Sequence, residues 1–290
     1  MNVESKKKYA ASLSILSNGL IILFKLVAGI ITGSISIISE AIHSMSDFLA
    51  SVLTFFAITR SSQPADRDHP FGHGKYEDVA GFVEGILILL ASFYIILESC
   101  KKIISNNSSE FNSTLGIIVM VIAIFANLIV SSYLFIVAKK ADSVALKADA
   151  HHLSTDVYSS FGVLVGLVLI KITGIVILDP LIAIFVALII LKTGISIIKE
   201  TLNNLLDGTL PNEDIKIIEN VINGCEYIQG FKNLKSRKSG SNRDIDITIL
   251  FEEHMSIKEC HKICDSLEAK IQDVLPNTLI TIHCEPCEHK

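Results

Sequence analysis

Two histidines in apolar stretches of this chain each stand one helical turn ahead of an aspartate. His43 precedes Asp47 within "EAIHSMSDFLASVLTFFAI", and His152 precedes Asp156 within "AHHLSTDVYSSFGVLVGLVLI". Residues four apart on an α-helix share a face, with Cβ atoms ~5–6 Å apart, so each pair projects one imidazole and one carboxylate together. If the two faces meet, two nitrogen and two oxygen donors converge, a set that suits tetrahedral zinc. The lack of a soft thiolate argues against copper(I), and imidazole argues against calcium or magnesium. A single pair is explained by an interhelical hydrogen bond. Two matched pairs in apolar surroundings are not, because ionisable residues at membrane depth cost ~2.5–3.5 kcal/mol each on insertion scales and usually mark pathways or relays. His151, about 100° around the helix from His152, reads as a helix-end residue. Glu84, Asn127 and Asp149 lack matched partners in the sequence and read as local hydrogen-bonding groups.

The elements that must position these pairs are apolar. The chain has 290 residues, of which 50% are hydrophobic and only 19% charged, with a mean hydropathy of +0.52; soluble domains carry ~25% charge. Six segments approach the ~20 apolar residues a spanning helix needs: 12–32, 37–58, 79–99, 114–137, 153–172 and 175–198. The first does not read as a cleaved leader, since no small-residue cleavage site follows it and the next span comes almost at once. The expected architecture is an all-α, six-helix transmembrane bundle over 1–206. Lys6–Lys8, Arg60, Arg67, Lys75, Lys139, Lys140 and Lys147 flank one side of these spans, against Lys101, Lys102 and Lys171 on the other. The positive-inside bias therefore predicts a multi-pass protein of the cell membrane with both termini in the cytoplasm. Lys25, near the middle of the first span, either snorkels or faces the bundle interior.

Residues 1–206 carry 15 acidic and 15 basic side chains, whereas 207–290 carry 15 and 10, so the net charge of −5 belongs to the tail. Nothing in this balance suggests nucleic acid, which would call for a basic surface. In the tail, "NEDIKIIENVIN" reads as an amphipathic helix, and "FKNLKSRKSG" and "RDIDITILFEE" as strands joined by a Gly-Ser turn. "SIKECHKICDSLEAKIQDVL" opens on a capping-box signal, Ser256 and Glu259, and keeps helical periodicity; "TLITIHCEP" alternates as a strand. The order α-β-β-α-β over 207–290 predicts a small cytoplasmic α+β domain of ferredoxin-like character. At that size dimerisation would help it bury a core.

The stretches "TGSISIISEAIHSMSDFLAS", "PADRDHPFGHGKYEDVAGFVEG", "ADAHHLSTDVYSS" and "TIHCEP" resemble, in order and spacing, the cation diffusion facilitator family, and within it the bacterial zinc/iron efflux pump type. The likeness runs from the first span to the last strand. It implies a homodimeric divalent-cation/proton antiporter in the lipid bilayer, with His43, Asp47, His152 and Asp156 as the transport site. His at the first of these positions resembles the zinc-preferring branch. Asp66, His69 and His73 match a second metal site in the loop after the second span. Lys75 and Asp207 match a charge pair that locks the dimer. His261, His283 and Glu285 match ligands of a cytoplasmic binuclear site. This chain departs from that pattern at Thr248, where the family strand ends in a metal-binding histidine. Asp246, two residues earlier on the same strand face, is the expected substitute. Cys260, Cys264, Cys284, Cys287 and His289 crowd the same elements and offer thiolate ligation, in a reducing compartment that disfavours disulfides.

The expected function is therefore divalent-metal efflux, Zn2+ foremost, with protons competing for the same four side chains, since ligands must be deprotonated to coordinate. Zinc would be the transported ion and a regulatory ligand of the tail. The same architecture could instead export Mn2+, Fe2+, Co2+ or Cd2+. A membrane metallohydrolase would need an open coordination position and a general base; two His and two Asp close the site, and no H-E-x-x-H is present, so the chain does not read as an enzyme. A non-transporting metal sensor or scaffold would use only the tail and leave the intramembrane pairs without a purpose.

Overall fold

The computed structural model describes residues 3–32, 35–105, 114–173 and 178–287. The side chains of several residues inside the helices, Lys25, His43 and Asp47 among them, lie outside the described residues, as does His289. Two units are present, Met1–Leu202 and Asn203–Lys290.

The first unit contains α1 (Val3–Thr32), α2 (Ile35–Ser61), α3 (Lys75–Ser105), α4 (Thr114–Ala141), α5 (Val144–Thr173) and α6 (Leu178–Leu205), the last running into the start of the second unit. Lys75–Lys101 and Ile124–Ala141 are, among the described residues, long and apolar enough to cross a membrane by length and composition. Several helices extend well beyond their apolar windows. Hydropathy marks only the part that lipid would cover, while helix propagation continues through residues such as Lys and Glu that are good helix formers. His152 therefore stands two turns inside α5 and not at its threshold. His151 is likewise no helix-end residue: its ring packs edge-on against Phe135 of α4, with centroids 4.8 Å apart.

Small side chains let these helices approach one another. Ala10, Ala11, Ala57, Ala80, Ala138, Ala145 and Ala150 lie in one buried cluster with Ile58, Leu134, Leu146 and Leu153, the close-contact chemistry expected where apolar burial alone does not drive helix association. On α3 the device is glycine. A Cβ added at Gly85 would come within 2.7 Å of Ile198 Cγ1, and one at Gly81 within 2.9 Å of Thr201 Cγ2, both on α6. A buried ion pair fastens α1 to α3: Lys7 donates to Glu77 Oε1, which also accepts from Ser61 at 2.9 Å, while Ser143 donates to Glu77 Oε2.

In the second unit, α7 (Asn212–Asn223) precedes β1 (Gly230–Ser239), β2 (Asn242–Phe251), α8 (Ile257–Val274) and β3 (Thr278–Pro286). The sheet is small and mixed. Strand order is β1-β2-β3, with β1 antiparallel and β3 parallel to β2. Gly240, at φ +59°, takes the first central position of the β1–β2 turn, a conformation glycine adopts without steric cost. A bulge at Asn233 (φ +55°) shifts the register between Lys232 and Lys235. Ile245, Ile247, Ile249 and Phe251 all point to the core face, where Cys260, Cys264, Leu267 and Ile271 of α8 and Ile218 and Ile222 of α7 cover them. The capping box is formed: Ser256 Oγ accepts from Glu259 N, and Glu259 Oε2 accepts from Ser256 N.

Candidate metal centre

On α5, Asp149, His152 and Asp156 follow at intervals of three and four, which is one helix face. Asp149 is fully buried, His152 is 6% exposed and Asp156 is half-buried. Ser51 of α2 donates to Asp149 Oδ1 at 3.1 Å, accepts from Asn18 Nδ2 of α1 at 2.7 Å, and lies 2.9 Å from Ser14 Oγ. One turn along α2, Thr54 donates to Glu84 of α3. The hydrogen-bonding roles expected for Asp149 and Glu84 are therefore filled, but each keeps a second buried oxygen, Asp149 Oδ2 and Glu84 Oε2, with no hydrogen-bond partner among the described residues. Both carboxylates interact electrostatically with His152 and with each other. His43 and Asp47 occupy backbone positions two turns and one turn before Ser51 on α2. The sequence did hold a signal for this network: Ser51 and Thr54 continue the helical interval that runs through His43 and Asp47.

The loop between α2 and α3 brings Asp66, His69 and His73 together, with one ligand atom from each lying within 4.8 Å of the others. Among the described residues this is the one grouping of three or more such side chains. The assembly is a turn and not a helix, as Pro70 and Gly72 (φ +83°) require. Asp66 Oδ1 accepts from the backbone N–H groups of His69 (2.7 Å) and Asp68 (3.0 Å), and the His69 N–H holds the Asp66 carboxyl below its ordinary range. His73 Nε2 lies 3.4 Å from Asp66 Oδ2, and His69 Nδ1 lies 3.4 Å from Asp66 Oδ1. His73 Nδ1 faces the Pro64 carbonyl at 3.2 Å. A carbonyl only accepts, so a proton on Nδ1 is held there while Nε2 faces Asp66, the arrangement that leaves Nε2 to a metal once one binds.

In the tail the expected ligands are divided between two layers. His283 Nε2 and Glu285 Oε1 of β3 lie 3.5 Å apart, and Lys232 of β1 reaches Glu285 Oε2 at 2.5 Å. Thr248 is paired in register with both Lys232 and His283 and is buried. Asp246, paired with Lys235 and Thr281, is exposed on the same outer face. His261 stands on α8, which covers the opposite face, and pairs with Asp265 at 3.7 Å. Asp207 (φ +56°) pairs with Arg237 at 3.5 Å within the second unit; Lys75 is the first residue of α3 in the first unit. On the core face, Cys264 Sγ lies 3.5 Å from Cys284 Sγ. Burial, with the Cys284 thiol adding to it, pushes Cys264 up to about 12, and burial also raises Cys260.

Residues 11–206 match the family model described as the cation efflux transmembrane domain, and residues 210–287 match that of the cation efflux protein cytoplasmic domain. The chain is 35% identical to an uncharacterized transporter, sll1263, of Synechocystis, over 91% of this chain and 85% of that protein. It is 29% identical to the cation-efflux pump FieF of Serratia proteamaculans, over 92% of this chain and 89% of that protein. A solved structure of CzrB in its zinc form is 28% identical, covering 28% of this chain and 96% of that one, with a TM-score of 0.26.

Proposed function

The chain belongs to the cation diffusion facilitator family of cation-efflux membrane proteins, and from that premise we propose that it exports zinc in exchange for protons through a site made of His43, Asp47, His152 and Asp156. The observation that carries this reading is the Ser51–Asp149 hydrogen bond between α2 and α5. In a six-span chain with alternating directions, α2 and α5 run antiparallel. Counting away from that bond, Asp47 is four residues from Ser51 and His152 three from Asp149. At 1.5 Å of rise per residue these offsets, ~6 and ~4.5 Å, bring Asp47 level with His152 on this reading. A further turn along brings His43 level with Asp156. Two neutral imidazoles and two carboxylates then offer four donors to a divalent cation.

Protons compete for the same atoms, because imidazolium and carboxylic acid do not coordinate. Asp149 and Glu84 lie buried beside His152 with an oxygen each to spare, within reach of the same pathway. Asp66, His69 and His73 hold a second zinc in the loop. The outer face of the tail sheet, with His283, Glu285 and Asp246, takes a third, with His261 supplied by a second copy. On this reading the protein is a homodimer locked by Lys75 and Asp207, spans the membrane six times with both termini cytoplasmic, and carries a ferredoxin-like tail. Flux into proteoliposomes across a panel of Zn2+, Cd2+, Co2+, Fe2+ and Mn2+, with and without a pH gradient, tests it. Zinc movement that rises with the gradient supports antiport. Absence of flux for every metal would favour a non-transporting sensor.

A further inference from the structure

We propose that the α1–α4 helix pair, at the end where α1 begins, binds the phosphate headgroup of an anionic phospholipid through Lys6 and Lys8 of α1 and Lys139 and Lys140 of α4. The site shares no residue with the metal centres above and does not rest on the transport reading.

Two contacts bring these ammonium groups to one place. The buried Glu77 carboxylate accepts from Lys7, near the start of α1, and from Ser143, just past the end of α4. Further along the pair, Tyr9 of α1 meets Tyr133 of α4 edge-on, with ring centroids 6.5 Å apart. The start of α1 therefore lies beside the end of α4, and the two helices run antiparallel. Counted from the tyrosines towards that end, the offsets of Lys6 on α1 and Lys139 on α4 differ by ~4.5 Å at 1.5 Å of rise per residue. Their four-carbon stems are flexible enough to span that gap. Lys6, Lys139 and Lys140 are exposed and Lys8 is half-buried. None of these ammonium groups has a partner among the described residues, and Glu4, the nearby acid on α1, is taken by Lys7 at 3.3 Å. Beyond the lysines the same helices expose Leu16, Leu20 and Leu23 on α1 and Phe125, Ile129 and Ile136 on α4, a surface for acyl chains. Tyr9, 56% exposed, stands between the two zones, where amphipathic rings gather at headgroup level. Lysines at a helix end usually follow from orientation alone and stay solvated. Here two helices supply unpaired charge to one spot above an apolar face, which is the combination that holds an anionic lipid head.

The test uses the full-length protein in detergent, stripped of lipid and titrated with phosphatidylglycerol, phosphatidylcholine or inorganic phosphate, with bound lipid counted by mass spectrometry of the intact complex. The wild type should retain phosphatidylglycerol in preference to phosphatidylcholine, and inorganic phosphate should not displace it. Lys139→Gln/Lys140→Gln and Lys6→Gln/Lys8→Gln should each weaken that retention about fivefold per lysine removed, the worth of one lysine beside an anionic headgroup. Lys139→Arg/Lys140→Arg should preserve it. Lys101→Gln, at the opposite end of α3, should leave it unchanged. Two independent double variants keep the test available if one fails to fold. Equal retention of both lipids by the wild type, undiminished retention in both Gln double variants, or displacement by inorganic phosphate would overturn the proposal without touching the transport reading. A changed oligomeric state in the Gln variants with lipid retention intact would also overturn it, by making this face a contact between copies.

Discussion

Ser51 of α2 donates a hydrogen bond to Asp149 of α5 across 3.1 Å, and both residues are fully buried. The bond joins the two helices that carry the His-x-x-x-Asp pairs, one turn from each pair. A buried carboxylate in such a place is costly unless its oxygens are satisfied, so the serine is part of what allows Asp149 to sit beside His152.

Ser51→Ala should therefore lower stability by ~1.5–3 kcal/mol, the range for a lost hydrogen bond to a charged group, and reduce zinc flux together with it. Ser51→Thr, which keeps the hydroxyl, should recover most of both. Thermal unfolding in detergent and vesicle flux measured on the same preparations check this. A Ser51→Ala protein with unaltered melting and flux would mean that the bond holds nothing in register.

Lys7 and Glu77 are each 1% exposed and form an ion pair linking α1 to α3. Removing one partner of such a pair leaves an uncompensated buried charge, at ~3–5 kcal/mol. Lys7→Met alone should be strongly destabilising. The double variant Lys7→Met/Glu77→Gln should regain much of the loss, because the glutamine carbonyl still accepts from Ser61 and its amide N–H can donate to the Ser143 hydroxyl. Melting temperatures of the three proteins decide the matter, and equal losses in the single and double variants would contradict it.

Gly85 lies where α3 meets Ile197 and Ile198 of α6. Gly85→Val should force the two helices apart and cost ~1–3 kcal/mol, as overpacking does. Gly72, whose Cβ would meet nothing within 4 Å but whose φ is +83°, should resist substitution for a different reason, namely backbone strain. Comparing Gly85→Ala with Gly72→Ala separates the two: loss of α3–α6 cross-linking belongs to the first alone.

At the loop centre, Asp66 is held ionised below the ordinary carboxylate range, first by the His69 N–H. A depressed carboxyl stays charged as the pH falls, so acid release of zinc from this loop should follow protonation of the imidazoles. Asp66→Asn should weaken zinc binding by the same factor at every pH, leaving the slope of log Kd against pH unchanged. A zinc titration of the full-length protein at several pH values measures this; a shallower slope in Asp66→Asn would assign one of the displaced protons to the carboxylate.

The helical periodicities, the capping box of Ser256 and Glu259, and the alternation that buries Ile245, Ile247 and Ile249 could all be read from the sequence, because each depends on neighbours within one or two turns. The Asp66–His69–His73 cluster was suggested only by resemblance. Pro70 and Gly72 hide its geometry from any regular spacing rule, and the backbone conformation that closes it cannot be inferred from residue types. Ser51–Asp149 and Thr54–Glu84 were missed for the opposite reason: the two carboxylates stand out in the sequence and Ser51 and Thr54 share the interval of His43 and Asp47, but the pairing exists only once α2, α3 and α5 pack. The layering of the tail was similarly hidden. Strand alternation puts Asp246 in phase with Thr248 and His283, but that His261 rides the helix covering the other face depends on how α8 docks.

The central claim is that α2 and α5 together build one cation site, and zinc flux through Asp47→Ala and Asp156→Ala proteins in proteoliposomes tests it most directly. Each variant should insert, retain the oligomeric state of the wild type, and lose pH-gradient-driven zinc uptake to the level of protein-free vesicles. The paired Asp47→Ala/Asp156→Ala protein should be no worse than either alone, because one missing ligand already opens the tetrahedron. Near-normal uptake in either single variant would contradict the account.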